Sequence, residues 1–119
     1  MIETSFGDNV YFAVRDKGET VGIVFGHLYN GDASLLELHV NMLPSARGEF
    51  AREEIKKILE FIFSAYTYRA VVAVISEYYP NVIRFALDSG MSLVGEVPIP
   101  LTKGGTQYRS FLFIIEKEV

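Results

Sequence analysis

At 119 residues, half of them hydrophobic and 22% charged, the chain has room for one domain with its own core and excludes a disordered polyelectrolyte. Its net charge of −4 argues against a general nucleic-acid binder, which needs a basic face. With no cysteine, disulfides, thiolate metal sites and a cysteine nucleophile are ruled out. Met1 to Asp8 carries neither a basic start nor an apolar run of signal-peptide type. No stretch is apolar for long enough to cross a bilayer, so the expectation is a soluble, cytoplasmic protein with no membrane contact.

Val10–Val14 and Val21–Leu28 read as strands, with Arg15 to Thr20 between them as a short hairpin loop. Asn30-Gly31-Asp32 is a second turn, and Ser34–Met42 is a third strand that completes an antiparallel meander. Turn residues from Pro44 to Gly48 then lead into Ala51, Ile55, Ile58, Leu59, Ile62 and Tyr66, spaced as one helical stripe. Ala70–Ile75 follows as a continuous β-branched run, the pattern of a buried strand paired in parallel through a crossover helix. Residues 35–76 therefore form one β-α-β unit.

Pro80 and Asn81 break the chain, and Val82, Phe85, Ala86 and Ser89 before Gly90 predict a short helix with a glycine cap. Residues 91–97 form a strand that ends at Pro98 and Pro100. A turn-rich connection over 101–106 leads to a last strand, Tyr108–Ile115. That strand pairs with 91–97, and its free side offers a route to a homo-oligomer. The class is α+β: a single domain over 1–119 with a mixed, mostly antiparallel sheet of about six strands, one parallel β-α-β unit and two packed helices.

Several residues carry candidate chemistry. Glu37 and His39 are two apart on a strand and so share a face, as a base and its tuning partner would, or as a half-exposed polar face would. The turn before the first helix, with Arg47 and Gly48, is a potential anion site because unpaired backbone N–H groups and the helix dipole converge there. Metal binding is not expected, since nothing in the sequence sets a third ligand beside His27 and His39. Tyr78, Tyr79 and Tyr108 read as packing aromatics, and Phe61, Phe63 and Phe85 are core candidates.

Two segments carry a family likeness. Leu43-Pro44-Ser45-Ala46-Arg47-Gly48-Glu49-Phe50-Ala51-Arg52 resembles the Pro-x-x-Arg-Gly-x-Gly-x-Gly/Ala turn of the GNAT acyl-CoA N-acyltransferases. Asn81 through Gly90, Met91 and Gly95 is similar to that superfamily's Asn…Gly-Phe…Gly segment. The likeness covers roughly residues 10–117. The compact size and the run from Arg84 to Met91 also resemble small GNAT-like proteins of tailed bacteriophages.

The resemblance implies acetyl-CoA as co-substrate and an amine as acceptor. It implies main-chain pairing of the pantetheine arm with Asn41, Met42 and Leu43, in a gap where the third strand splays from its parallel neighbour. The amides of Arg47, Gly48, Glu49, Phe50, Ala51 and Arg52 would cradle the pyrophosphate, Asn81 would touch the cofactor, and Glu37 or His39 would be the base. The motif is degenerate. Phe50 replaces a glycine that lets the backbone approach the pyrophosphate, Arg52 replaces a small residue and offers a guanidinium instead, and Ala86 stands where a tyrosine is common. Tyr78, Tyr79 or Tyr108 would then replace that tyrosine as proton donor, or serve only as packing. The family's first strand and the two helices that wall its acceptor pocket are missing or reduced to nine residues. The alternative implied function is a non-catalytic GNAT-fold protein, such as a phage accessory or virion-associated protein, that works by contacting a protein partner.

Overall fold

The computed structural model describes residues 2–118. Its strands are β1 (Ile2–Phe6), β2 (Asn9–Asp16), β3 (Glu19–Tyr29), β4 (Asp32–Met42), β5 (Ala70–Ser76), β6 (Ser92–Lys103) and β7 (Thr106–Glu116). Two helices join them, α1 (Glu49–Ala65) between β4 and β5 and α2 (Pro80–Asp88) between β5 and β6. The strands form one sheet in the order β1-β2-β3-β4-β5-β7-β6, antiparallel everywhere except at the β4–β5 pair. The predicted α+β architecture is therefore the observed one.

The hairpins follow from their turn residues. Lys17-Gly18, Asn30-Gly31 and Gly104-Gly105 each place two successive residues at positive φ, the geometry of a two-residue turn whose twist matches the strands. Residues 101–106 are thus mostly strand and not a connection, and β6 and β7 run on to meet at Gly104-Gly105.

Two further features differ from the sequence expectation. A seventh strand, β1, lies in the first residues and pairs antiparallel with β2. Five residues with mixed polarity gave it too weak an alternation to read. The last strand, β7, is also not free: β5 hydrogen-bonds to one side of it and β6 to the other. The edge falls to β6, where Pro98 and Pro100 remove backbone donors, as suits a strand with one unpaired side.

The core lies on one face of the sheet. Val10, Phe12 and Val14 of β2, Val24 of β3, and Leu36, Leu38 and Met42 of β4 point toward α1. The helix meets them with Ala51, Ile55, Ile58, Leu59 and Ile62, all buried, which is the predicted stripe. Burying each of the larger side chains stabilises the fold by about 1.5–3 kcal/mol. A smaller cluster of Ile75, Ala86 and Phe113 seats α2 on the same side. The cap of α2 is also as expected: the Gly90 and Met91 amides donate back to the carbonyls of Leu87 and Ala86, closing a Schellman motif.

The period of two that buries Phe12 leaves Tyr11 exposed on the opposite face, together with Ile23. No helix among the described residues crosses that face of the meander. None of the described helices is long and apolar enough to span a membrane.

Candidate functional site

β4 and β5 are paired only from Leu35–Ala70 to Glu37–Val72. Beyond Glu37 the side of β4 turned away from β3 has no strand partner, and a cleft of about 350 Å³ opens between the two strands. Leu38, His39 and Val40 line it from β4, Ala73 to Ser76 from β5, Tyr79 from the residue before α2, and Val82, Phe85 and Ala86 from α2. The expected gap is present because β5 turns toward β7 along its whole length while β4 continues along β3.

The far end of β4 leads into a 3₁₀ turn, Pro44–Ala46, and then into α1. The Arg47 amide donates to Pro44, and the Arg52 amide to Gly48. Those of Gly48, Glu49, Phe50 and Ala51 donate to no protein acceptor among the described residues. No side chain caps the helix, so its positive end is open to an anion. The Phe50 ring packs partly buried against the core and so turns inward, away from an anion held by its own amide. Arg47 is exposed, its Nε donating to the Met42 carbonyl at 3.2 Å. Glu49 adds a carboxylate that suits the dipole of an empty turn but repels an incoming phosphate.

Gly48 caps this helix at φ 91° and ψ −138°, a region essentially closed to other residues. A Cβ there would meet nothing within 4 Å, so any penalty is backbone strain alone. Gly48→Ala is expected to lower unfolding free energy by about 1–3 kcal/mol, read as an earlier urea midpoint. An unchanged midpoint would mean that the turn is not held in this conformation.

The other predicted residues separate into groups. Arg52 faces a second groove, along α1 and the end of α2, with Glu49, Glu53 and Lys56. Met42 is buried in the core, Leu43 is exposed with its amide bonded to the Val21 carbonyl, and Asn41 is exposed. Asn81 is exposed in the first turn of α2 and does not line the cleft. Of the three tyrosines, Tyr79 reaches the cleft. Tyr78 packs edge-on against Tyr79 and Tyr108, and Lys103 lies over the rings of Tyr78 and Tyr79. A hydrogen bond to Tyr79 holds the exposed Lys103 ammonium above its usual pKa.

Glu37 and His39 do share a face, and a residue the sequence did not attach to them completes the group. The β3–β4 register sets His27 directly opposite Glu37. The Nε2 atoms of His27 and His39 are 2.9 Å apart, and the Glu37 carboxylate lies 3.3 Å from His39 and 3.8 Å from His27. Phe25 stacks beside both imidazoles, with centroids 5.4 and 5.7 Å away. His39 belongs both to this group and to the cleft wall.

Residues 5–118 match the model of a family described as Protein of unknown function (DUF2824). The chain belongs to this family. No curated protein matches this DUF2824 chain. Its fold is shared with solved N-acetyltransferases. A spermidine N-acetyltransferase from Vibrio cholerae in complex with CoA and spermine superposes with a TM-score of 0.80 at 18% identity, over 92% of this chain and 66% of that one. A chimera of the Vibrio cholerae enzyme SpeG and hSSAT gives 0.81 at 18% identity, over 92% and 67%. A protein described as a phosphinothricin N-acetyltransferase gives 0.81 at 14% identity, over 96% and 75%. At such identities the likeness establishes the GNAT-type fold of the DUF2824 chain, which spans about two thirds of the length of the spermidine enzymes.

Proposed function

We propose that this protein is a GNAT-type N-acyltransferase that moves an acetyl group from acetyl-CoA to an amine. The observation that carries the reading is the gap between β4 and β5, walled by His39 and, from α1, by Ile55 and Leu59, together with the unpaired amides of residues 48–51 at the start of that same helix. An extended pantetheine arm can add to the free side of β4 while the pyrophosphate takes the helix-terminal amides. Fold likeness alone does not assign the activity. What supports it here is a strand edge, a donor cluster and a base-bearing wall on successive elements of one β-α-β unit.

In the proposed reaction the amine nitrogen attacks the thioester carbonyl. A C–N bond forms, the C–S bond breaks, and the thiolate leaves with a proton. His39 accepts the amine proton, and Glu37 positions its imidazole and stabilises the imidazolium. Tyr79, in the same cleft, supplies the proton for the thiolate, the role open to it once Ala86 stands in place of a tyrosine.

Melting the protein with and without millimolar acetyl-CoA tests binding. A ligand bound by the native state alone raises the midpoint, by the equivalent of about 2.7 kcal/mol at a hundred times its Kd. Gly48→Ala is expected to reduce that shift.

The exposed Tyr11 and Ile23, at 39% and 45%, favour a second reading: a non-catalytic GNAT-fold protein, of the tailed-phage type, that meets a protein partner with its open sheet face. No shift with acetyl-CoA in the unaltered protein would leave that reading standing and remove the first.

A further inference from the structure

We propose that His27, Glu37 and His39 form a binding site for one divalent transition-metal ion of the zinc, cobalt or nickel kind, on the open face of the sheet. Three ligand atoms, one from each side chain, lie within 4.8 Å of one another. The two Nε2 atoms are 2.9 Å apart, and the Glu37 carboxylate turns one oxygen to each, Oε2 at 3.3 Å from His39 and Oε1 at 3.8 Å from His27, a spacing over which one ion with bonds of about 2 Å can bridge the three side chains. The two imidazole planes are 15° apart with centroids 5.0 Å apart, so the rings lean together at their Nε2 ends. Two imidazoles and a carboxylate are a donor set that suits zinc and its neighbours, and exposure of His39 leaves room for water to complete the coordination.

Two further observations point to a cation. The His27 Nδ1 lies 3.1 Å from the Leu28 carbonyl. Donating its proton there leaves neutral His27 with a lone pair on Nε2, the arrangement that orients metal-bound histidines. That lone pair faces the His39 Nε2 and the Glu37 carboxylate. Glu37 has a side chain only 14% exposed and no lysine or arginine partner among the described residues. This half-buried carboxylate facing two imidazoles lacks a fixed positive charge, and a metal ion supplies one.

The site shares Glu37 and His39 with the acyl-transfer reading, but its test needs no acyl donor, so the two can fail separately. The same lone pairs serve a proton or a metal ion, so acyl transfer belongs to the metal-free form and is to be assayed after chelation.

Untagged, chelator-treated protein titrated with Co²⁺ in visible absorption, and with Zn²⁺ by calorimetry, tests the proposal. The expected result is one ion per chain at micromolar affinity, with ligand-field bands appearing in step. The chain has only two histidines and both are in this site, so nitrogen-ligand bands report it alone. His27→Ala and His39→Ala are each expected to weaken binding by about tenfold or more. His27→Gln and His39→Gln serve where an alanine variant fails to melt cooperatively in chelator. No uptake at millimolar metal, or the same affinity in both histidine variants, overturns the proposal.

Discussion

His39→Ala is expected to lower kcat/KM for acyl transfer by about 10²–10⁴-fold, the range set by loss of a positioned general base. His39 is the member of the His27–Glu37–His39 group that also lines the cleft. Glu37 lies 3.3 Å from its Nε2 and is the last β4 residue paired with β5, so it is fixed where the gap begins. Glu37→Gln keeps the shape and removes the charge. It is expected to cost less than His39→Ala but to act on the same step, since it acts through the imidazole. Because neither residue touches the turn at 47–52, the acetyl-CoA-induced rise in melting midpoint should be the same in both variants as in the parent. Release of CoA followed in chelated protein, with the melting shift measured alongside, separates the two effects. Full activity in both variants would remove this strand from the mechanism. Loss of the melting shift would instead place the group in cofactor binding.

How much of this was legible in the sequence depends on the range of the interaction involved. The α1 stripe and the Gly90 cap were readable because period and capping are local. Pairing of Ala70–Ile75 in parallel followed from an unbroken β-branched run behind an amphipathic helix. The Glu37–His39 pair was equally plain, since residues two apart on a strand must share a face. His27 was not. An unbroken two-residue hairpin at Asn30-Gly31 would set His27 opposite Ser34, but the ladder shifts between Leu28 and Tyr29 and brings it opposite Glu37. A strand irregularity of that kind leaves no reliable mark on composition. The expectation that no third ligand stands beside the two histidines was mistaken for that reason: cross-strand register supplies Glu37 between them. The inward turn of Phe50 was hidden for a related reason. At the first turn of a helix a ring can face the core or the ligand, and only tertiary packing selects one. The burial of β7 was likewise a matter of strand order, which sequence adjacency to β6 alone does not fix.

Phe12→Ala is expected to lower unfolding free energy by about 3–5 kcal/mol, while Tyr11→Ala, one residue away, changes it by about 1 kcal/mol or less. Phe12 has no exposed surface and meets Phe61 of α1 edge-on, with ring centroids 5.9 Å apart and planes at 83°. Truncating it removes apolar contact and leaves a cavity beneath the helix, because Val14, Val24 and Ile58 around it are also fully buried and held in place. Tyr11 lies on the other face, 39% exposed, with Phe25 at 5.0 Å as its aromatic neighbour. A domain of this size is stable by about 5–15 kcal/mol in total, so the Phe12 loss alone removes a large share. The effect reaches the candidate site through α1, whose first turn carries the unpaired amides and whose seat on the sheet is this cluster. Urea titrations of the two alanine variants decide the matter, with Phe12→Leu as a milder substitute should Phe12→Ala not fold. Equal losses at positions 11 and 12 would mean that the two faces of β2 are not differently packed, and the assignment of the core to the helix side would fail with it.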